Sequence, residues 1–149
     1  MERDREWMKQ ALEEARRAAA SGEVPVGALA VRGRELLSRA HNRTVSTTDP
    51  SAHAEILVLR EAAARIGNHR LGGVTVYATL EPCLMCVGAM VQARVDRLVF
   101  AAADPKVGAT GLLAAGDLRT GLNHRVEVSG GLLAAESSAL LREFFAARR

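Results

Sequence analysis

The chain has 149 residues, of which 48% are hydrophobic and 25% are charged. This length suits one domain with a buried core, and the composition excludes the low hydrophobicity of a disordered chain. The formal charge of +3 weakly favours a polyanionic partner, although many enzymes that bind no nucleic acid are equally basic. We therefore expect a single folded domain over residues 1–149.

The elements predicted for the first half of the chain begin with an amphipathic helix over residues 4–21, where apolar side chains recur at helical spacing. Two short strands joined by a tight turn are expected over residues 26–31 and 35–38. Asp49, Pro50 and Ser51 supply a capping residue and a helix-opening proline, so they predict a second helix that runs to about Ile66.

The second half of the chain continues this alternation of helix and strand. We expect strands over residues 74–80, 97–101 and 125–128, and a helix that Pro82 opens and that runs to about Ala93. Residues 104–123 are rich in glycine and predict mostly loop with at most one helical turn, whereas residues 132–145 predict a C-terminal helix. Such alternation predicts an α/β fold with helices on both faces of the sheet.

The start of the chain is mixed in charge and lacks the basic and then apolar pattern of a secretory signal. Its longest apolar runs fall far below the roughly 18 residues that a membrane span needs. We therefore expect a cytoplasmic protein without a membrane span.

The residues that can carry chemistry are His53 and Glu55 near one predicted helix start, and Cys83 and Cys86 near another. One imidazole and two thiolates are good zinc ligands, and three protein ligands leave the fourth tetrahedral position open to water. The two cysteines, three residues apart, share one helix face, and the positive helix N-terminus stabilises their thiolates. Glu55 can then move protons between that water and a substrate.

Each half of this pattern has an alternative interpretation. The Cys-x-x-Cys motif also occurs in thioredoxin-like redox proteins and in structural zinc sites, whose fourth ligand could be His41, His69 or His124. Structural sites usually add a second tight pair of ligands, and a redox role leaves His53 and Glu55 unexplained. The combination of His-x-Glu with Pro-Cys-x-x-Cys is instead typical of zinc-dependent nucleobase deaminases.

Over nearly its whole length the sequence resembles the bacterial tRNA-specific adenosine deaminases. The matching stretches are residues 23–28, 42–43, 49–50, 53–56, 79–89, 104–106, 122–126 and 144–145. Two departures stand out: Ser137 occupies a position where relatives often have cysteine, and the segment 113–122 is shorter than usual. Guanine and cytosine deaminases share the His-Ala-Glu form, so a deaminase of a free base or nucleoside is the main competing interpretation.

The resemblance implies a three-layer α/β/α, cytidine-deaminase-like fold with a central mixed five-stranded sheet. It implies a homodimer with one Zn²⁺ per subunit, held by His53, Cys83 and Cys86, and catalysis through Glu55. The implied reaction converts adenosine to inosine at the wobble position of a tRNA anticodon loop. A zinc-binding module without catalysis is the other interpretation.

The resemblance also assigns contacts to the RNA substrate. It places Asn42 against the base, with Val26 and Ala54 in the pocket wall. Asn42 can both donate and accept hydrogen bonds, although a turn role is equally compatible with the sequence. The neighbouring nucleotides would meet Asp104, Lys106, Phe144, Phe145 and Arg148. Since Phe144 and Phe145 could equally be core residues, we expect one of them to pack and the other to touch RNA.

Overall fold

The computed structural model describes residues 2–115 and 124–148, and within these the strands form one sheet. The strands are β1 (Gly27–Arg32), β2 (Glu35–His41), β3 (Val74–Leu80), β4 (Arg97–Ala102) and β5 (Glu127–Ser129). The helices are α1 (Glu2–Ala20), α2 (Ala54–Ile66), α3 (Leu84–Ala93), α4 (Thr110–Ala115) and α5 (Ala134–Ala146). No described helix is both long enough and apolar enough to cross a membrane.

The sheet is mixed, with the strand order β2-β1-β3-β4-β5. Strand β1 pairs antiparallel with both β2 and β3. Strands β3, β4 and β5 run parallel to one another. Helix α3 makes the crossover between β3 and β4, so its N-terminus lies where β3 ends. In open α/β sheets, ligands bind at this carboxyl edge of the parallel strands.

Both faces of the sheet are covered, because successive side chains of a strand point to opposite sides. In β3, Val76 and Ala78 join the larger core under α2 and α3, while Tyr77 joins a second core under α1. Helix α5 packs on the same side as α1 and contacts β3 and β4. The predicted three-layer α/β/α fold with a mixed five-stranded sheet is confirmed.

Helices α1 and α5 are held tightly against the sheet. A Cβ added to Gly27 would lie 2.1 Å from the carbonyl oxygen of Ala11, so the close approach of α1 to β1 requires glycine there. On α5, the buried hydroxyl of Ser137 donates a short hydrogen bond to the carbonyl oxygen of Thr79 in β3. This bond fastens α5 to the strand that leads into the Cys83 region.

The predicted starts of α2 and α3 were wrong by a few residues. Helix α2 begins at Ala54 and not at residues 49–51, because the Asp49 carboxylate accepts hydrogen bonds from the amide and hydroxyl of Ser51 and closes a turn there. Helix α3 begins at Leu84, so Pro82 precedes it by two residues. In both cases the metal-ligand candidate is the residue immediately before the helix.

Two strand boundaries also differ from those predicted. Strand β2 extends to His41 because its pairing with β1 continues to Gly27, and β5 covers Glu127–Ser129 and not 125–128. The helical turn expected within residues 104–123 is α4, and residues 116–123 of that segment lie outside the described part of the chain.

Candidate active site

Two helix N-termini meet at the candidate metal centre. His53 precedes α2 and Cys83 precedes α3, both in extended conformation. The Nδ1 atom of His53 lies 3.6 Å from the sulfur of Cys83 and 3.5 Å from that of Cys86. The two sulfurs are 3.8 Å apart. The structure therefore brings together the three ligands predicted from the sequence.

These separations test whether the residues fit a metal ion. Tetrahedral coordination with ordinary zinc bond lengths would set two sulfurs about 3.8 Å apart and each sulfur about 3.6 Å from the nitrogen. Burial lowers the pKa of His53 and so favours the neutral imidazole that a metal requires. Burial also raises the pKa of the Cys86 thiol, so a nearby cation is needed to hold it as thiolate. Geometry and donor chemistry both fit an ion of this kind.

Among the described residues, His53, Cys83 and Cys86 form the group of histidine, cysteine or carboxylate side chains whose ligand atoms all lie within 4.8 Å of one another. The ring of His41 contacts the carbonyl oxygen of Asn42, and that of His124 contacts the carbonyl oxygen of Val95, each at 2.9 Å. His69 lines a separate groove between α2 and α3. None of the three histidines considered for a structural zinc site joins the cluster, which favours an open coordination position.

Glu55 lies in the first turn of α2, two residues after His53, and is 4% exposed. Its Oε1 atom is buried and has no hydrogen-bond partner among the described residues. Burial raises the pKa of this carboxyl to about 7. A buried carboxyl with one oxygen left unpartnered and a pKa near neutrality is suited to accept and return a proton.

A cavity of about 230 Å³ opens beside the cluster. It is smaller than the roughly 300–1,000 Å³ typical of sites for drug-sized ligands, so it suits one flat base better than a larger group. Its walls combine the metal-centre residues with strand ends and loops: Val24, Val26, Asn42, Thr44, His53, Glu55, Leu80, Glu81, Cys83, Asp104 and Val107.

Val26 and Asn42, predicted to contact the base, line the cavity, and so does Asp104, predicted to contact a neighbouring nucleotide. Ala54 departs from the expectation, because its fully buried side chain packs in the larger core under α2. Its backbone N–H instead donates to Oδ1 of Asn42 at 2.9 Å. Since this bond directs the amide oxygen of Asn42 towards α2, the NH2 group occupies the other end of the side chain.

The remaining predicted RNA contacts lie outside the cavity wall. Lys106 is exposed, on the same loop as Asp104. Phe144 is buried, whereas the neighbouring Phe145 is 49% exposed. The guanidinium of Arg148 lies 3.5 Å from the centre of the Phe144 ring and donates to the carbonyl oxygen of that residue. Phe144 is thus the phenylalanine that packs, and the exposed Phe145 is the one left for the predicted contact with RNA.

Two glutamates beside the cavity were missed by reasoning from the sequence. Glu81 lines the cavity and accepts hydrogen bonds from Asp104 and Thr110. Glu23 is 1% exposed and accepts from the amides of Val45 and Ser46, in the segment that follows Asn42. The only local signal was that both glutamates lie in stretches shared with the resembled family.

Comparison with known proteins identifies the family of the chain. The family model for MafB19-like deaminases matches residues 2–149. A tRNA-specific adenosine deaminase of Bacillus subtilis is 45% identical over 145 residues, which cover 97% of this chain and 90% of that protein.

Two solved structures show the same architecture. One comes from work on A-to-I editing by tRNA:A34 deaminases; it has a TM-score of 0.83 at 40% identity and covers 91% of this chain and 99% of that one. A guanine deaminase from Nitrosomonas europaea gives a TM-score of 0.82 at 29% identity, covering 95% and 84% of the two chains. The chain is a deaminase of the MafB19-like family and belongs, within it, to the tRNA-specific adenosine deaminases.

Proposed function

We propose that this enzyme converts adenosine to inosine at the wobble position of a tRNA anticodon loop, releasing ammonia. The observation that carries the proposal is the buried Oε1 atom of Glu55, which lacks a partner among the described residues beside the His53, Cys83 and Cys86 cluster. A proton-transfer group is thereby kept beside a base-sized cavity. The relatives named above supply the substrate class.

We assign Zn²⁺, one ion per subunit, to His53, Cys83 and Cys86. When bound there, zinc would make water acidic enough to act as a nucleophile near neutral pH. The thiolates and imidazole balance the ion's charge, and a three-ligand set leaves room for water.

Glu55 moves the protons of the reaction. Its carboxylate takes a proton from the water that attacks C6 of the adenine ring and gives it to the ring nitrogen; it then takes the second proton from the oxygen now bonded to C6 and gives it to the departing amine. The water oxygen forms a bond to C6, the bond from C6 to the amine breaks, and the products are inosine and ammonia. The burial that raises the pKa of this carboxyl to about 7 suits it to both directions of transfer.

Asn42 and Val26 hold the base that enters the cavity. The Oδ1 atom of Asn42 is bound to the amide of Ala54, so the NH2 group is the end that donates to a ring acceptor of the base. Val26 offers an apolar wall. Ala54 contributes through this backbone bond, which fixes the orientation of Asn42.

The nucleotides on either side of the flipped base meet the rim of the cavity. Asp104 lines the opening, and the exposed side chains of Lys106, Phe145 and Arg148 offer charge and a stacking surface for them. Phe144 supports this surface from below through its contacts with Phe145 and Arg148. A homodimer in the cytoplasm, as in the resembled family, completes the proposal.

The decisive experiment measures inosine formation by the zinc-loaded enzyme in an anticodon stem-loop that has adenosine at the wobble position. Free adenosine, guanine and cytosine are assayed in parallel. We expect rapid conversion of the stem-loop and little turnover of the free compounds. Turnover of guanine alone would instead identify a free-base deaminase, an outcome that the likeness to the Nitrosomonas europaea enzyme makes worth testing.

A further inference from the structure

We propose that Glu81 is a positioning residue that holds the segment 104–110 against the cavity and thereby sets the affinity for the substrate. The inference rests on the proposed function, because it concerns the same cavity. It follows from hydrogen bonds that join Glu81 to both ends of this segment.

The two carboxylate oxygens of Glu81 accept hydrogen bonds from opposite ends of the segment. Oε1 accepts from the backbone amide of Asp104 at 3.0 Å, at the start of the segment. Oε2 accepts from the amide of Thr110 at 3.3 Å and from its hydroxyl at 2.6 Å, at the other end. One side chain thus closes the segment into a loop whose ends cannot separate without breaking charge-assisted hydrogen bonds.

Backbone contacts place this loop next to the metal centre. The amide of Glu81 donates to the carbonyl oxygen of Ala102 at 2.8 Å, and the amide of Ala109 donates to that of Pro82 at 3.0 Å. The loop is therefore joined to the residues immediately before Cys83. Asp104, at one fixed end, and Val107, between the two ends, line the cavity. Val107 is 59% exposed.

The loop is also packed closely onto the carboxylate. A Cβ added to Gly108 would lie 2.3 Å from both Cδ and Oε1 of Glu81 and 2.6 Å from the carbonyl oxygen of Asp104. Any side chain at residue 108 must therefore displace the Glu81 carboxylate or the loop backbone. Just after this segment, in α4, a Cβ added to Gly111 meets nothing within 4 Å, which supplies a control.

These contacts separate Glu81 from Glu55 in function. Both line the cavity, but the oxygens of Glu81 are engaged by the loop, whereas Oε1 of Glu55 lacks a partner among the described residues. Glu81 is thus arranged to act through Asp104 and Val107 and not on the reacting atoms. Loss of its contacts should weaken substrate binding while leaving the rate of the bound complex nearly unchanged.

The test compares the zinc-loaded wild type with Glu81→Gln, Gly108→Ala and the control Gly111→Ala on the anticodon stem-loop. Glutamine offers one acceptor oxygen in place of two, so at least one loop amide loses its partner. A hydrogen bond to a charged group corresponds to roughly a tenfold effect, and we expect KM to rise about tenfold in the first two variants. We expect kcat to stay within about twofold and the metal content to remain unchanged.

Thr110 provides a second pair of variants if Glu81→Gln folds poorly. Thr110→Val removes the hydroxyl at nearly constant shape and should raise KM, whereas Thr110→Ser should restore most of the binding. A fall in kcat at constant KM, or loss of metal from Glu81→Gln, would overturn the positioning role.

Amide hydrogen exchange of the segment 104–110 tests the loop without any substrate. We expect exchange to accelerate about tenfold in Glu81→Gln and to stay unchanged in Gly111→Ala. Unchanged exchange in Glu81→Gln would refute the inference. A wild type that fails to edit the stem-loop but shows the expected exchange pattern would refute only the proposed function.

Discussion

Two charged clusters lie at opposite ends of the neighbouring strands β3 and β4. Where β4 begins, the guanidinium of Arg97 pairs with the carboxylate of Asp4, which also accepts a hydrogen bond of 2.6 Å from the hydroxyl of Tyr77. Near the end of β3, the carboxyl of Glu55 has a buried oxygen without a partner among the described residues. The Asp4 carboxylate thus has charged and hydrogen-bonding partners at one end of the strands, whereas the Glu55 carboxyl at the other has an oxygen without such a partner in the described part of the chain.

The electrostatic consequences are opposite. Hydrogen bonding to Arg97 lowers the pKa of Asp4 to about 2, so this carboxylate stays charged and fastens α1 to the sheet. Burial raises the pKa of Glu55 to about 7, so this carboxyl can exchange its proton near neutral pH. Of these two carboxyl groups, Asp4 with its partners stabilises the fold, whereas Glu55 is the one that we propose as the proton-transfer group.

The largest expected effect comes from removing a metal ligand. Cys83→Ser should lose both bound metal and turnover, because the hydroxyl is a much poorer zinc ligand than a thiolate. The purified variant can be checked by metal analysis together with the stem-loop assay. Met85→Ala, which changes an exposed residue between the two cysteines, serves as the control and should retain the metal. A metal-loaded, active Cys83→Ser enzyme would contradict the assigned ligand set.

Glu55→Ala should lower turnover about 10²- to 10⁴-fold, the usual range for loss of a general acid and base. The metal content should remain stoichiometric, since the three ligands are unchanged. Glu61→Ala, at an exposed position of the same helix, should behave as wild type. If Glu55→Ala loses its metal, the separation between a metal-binding and a proton-transfer role fails.

The Asp4 cluster predicts a change in stability with pH. The pKa of Asp4 in the folded protein, about 2, is below the ordinary 3.8, so its contribution is fully present above about pH 4 and is lost as the pH falls towards 2. This shift corresponds to about 2 kcal/mol in the free energy of unfolding.

Urea unfolding at pH 7 and at pH 2.5 should therefore show a large penalty for Asp4→Asn at pH 7 and a much smaller one at pH 2.5. Glu6→Gln, which alters an exposed ion pair with Lys9, should have little effect at either pH. A penalty for Asp4→Asn that is equal at both pH values would argue against the charged pair as its cause.

The smallest effect is expected at the rim. Phe145→Ala should raise KM for the stem-loop about fivefold, because stacking on one nucleotide base contributes about 1 kcal/mol or more. Its kcat should change little. Phe144→Ala offers a useful contrast, since this buried ring should affect thermal stability more than KM. Equal KM values for wild type and Phe145→Ala would remove Phe145 from the proposed RNA surface.

The metal centre could be predicted from the sequence because its parts are local. His53 and Glu55 are two residues apart and the cysteines three apart, and each pair belongs to one helix start. The alternation of apolar strands and amphipathic helices likewise predicts the layered fold. Both predictions use residues that are close in the sequence, and the regular geometry of a helix fixes where side chains a few residues apart lie relative to one another.

The loop contacts could not be predicted in this way because they join distant parts of the chain. Glu81 binds residues 23 and 29 positions away, and Glu23 binds residues 22 and 23 positions away. Nothing in the local sequence distinguishes these glutamates from solvated ones. The start of α2 was misplaced for a related reason, since the side chain of Asp49 could cap either a helix or the turn that it actually closes.

The positions of His53 and Cys83 have a consequence for the mechanics of the fold. Each is the residue immediately before its helix, and neither side chain caps that helix. A serine or aspartate there would add about 1 kcal/mol through such a bond. The imidazole of His53 instead contacts the thiol of Cys83. One pair of side chains therefore connects two helix N-termini that lie 30 residues apart in the chain. Removal of the metal by a chelator should fray the first turns of α2 and α3 together, while the remainder of each helix stays packed in the core.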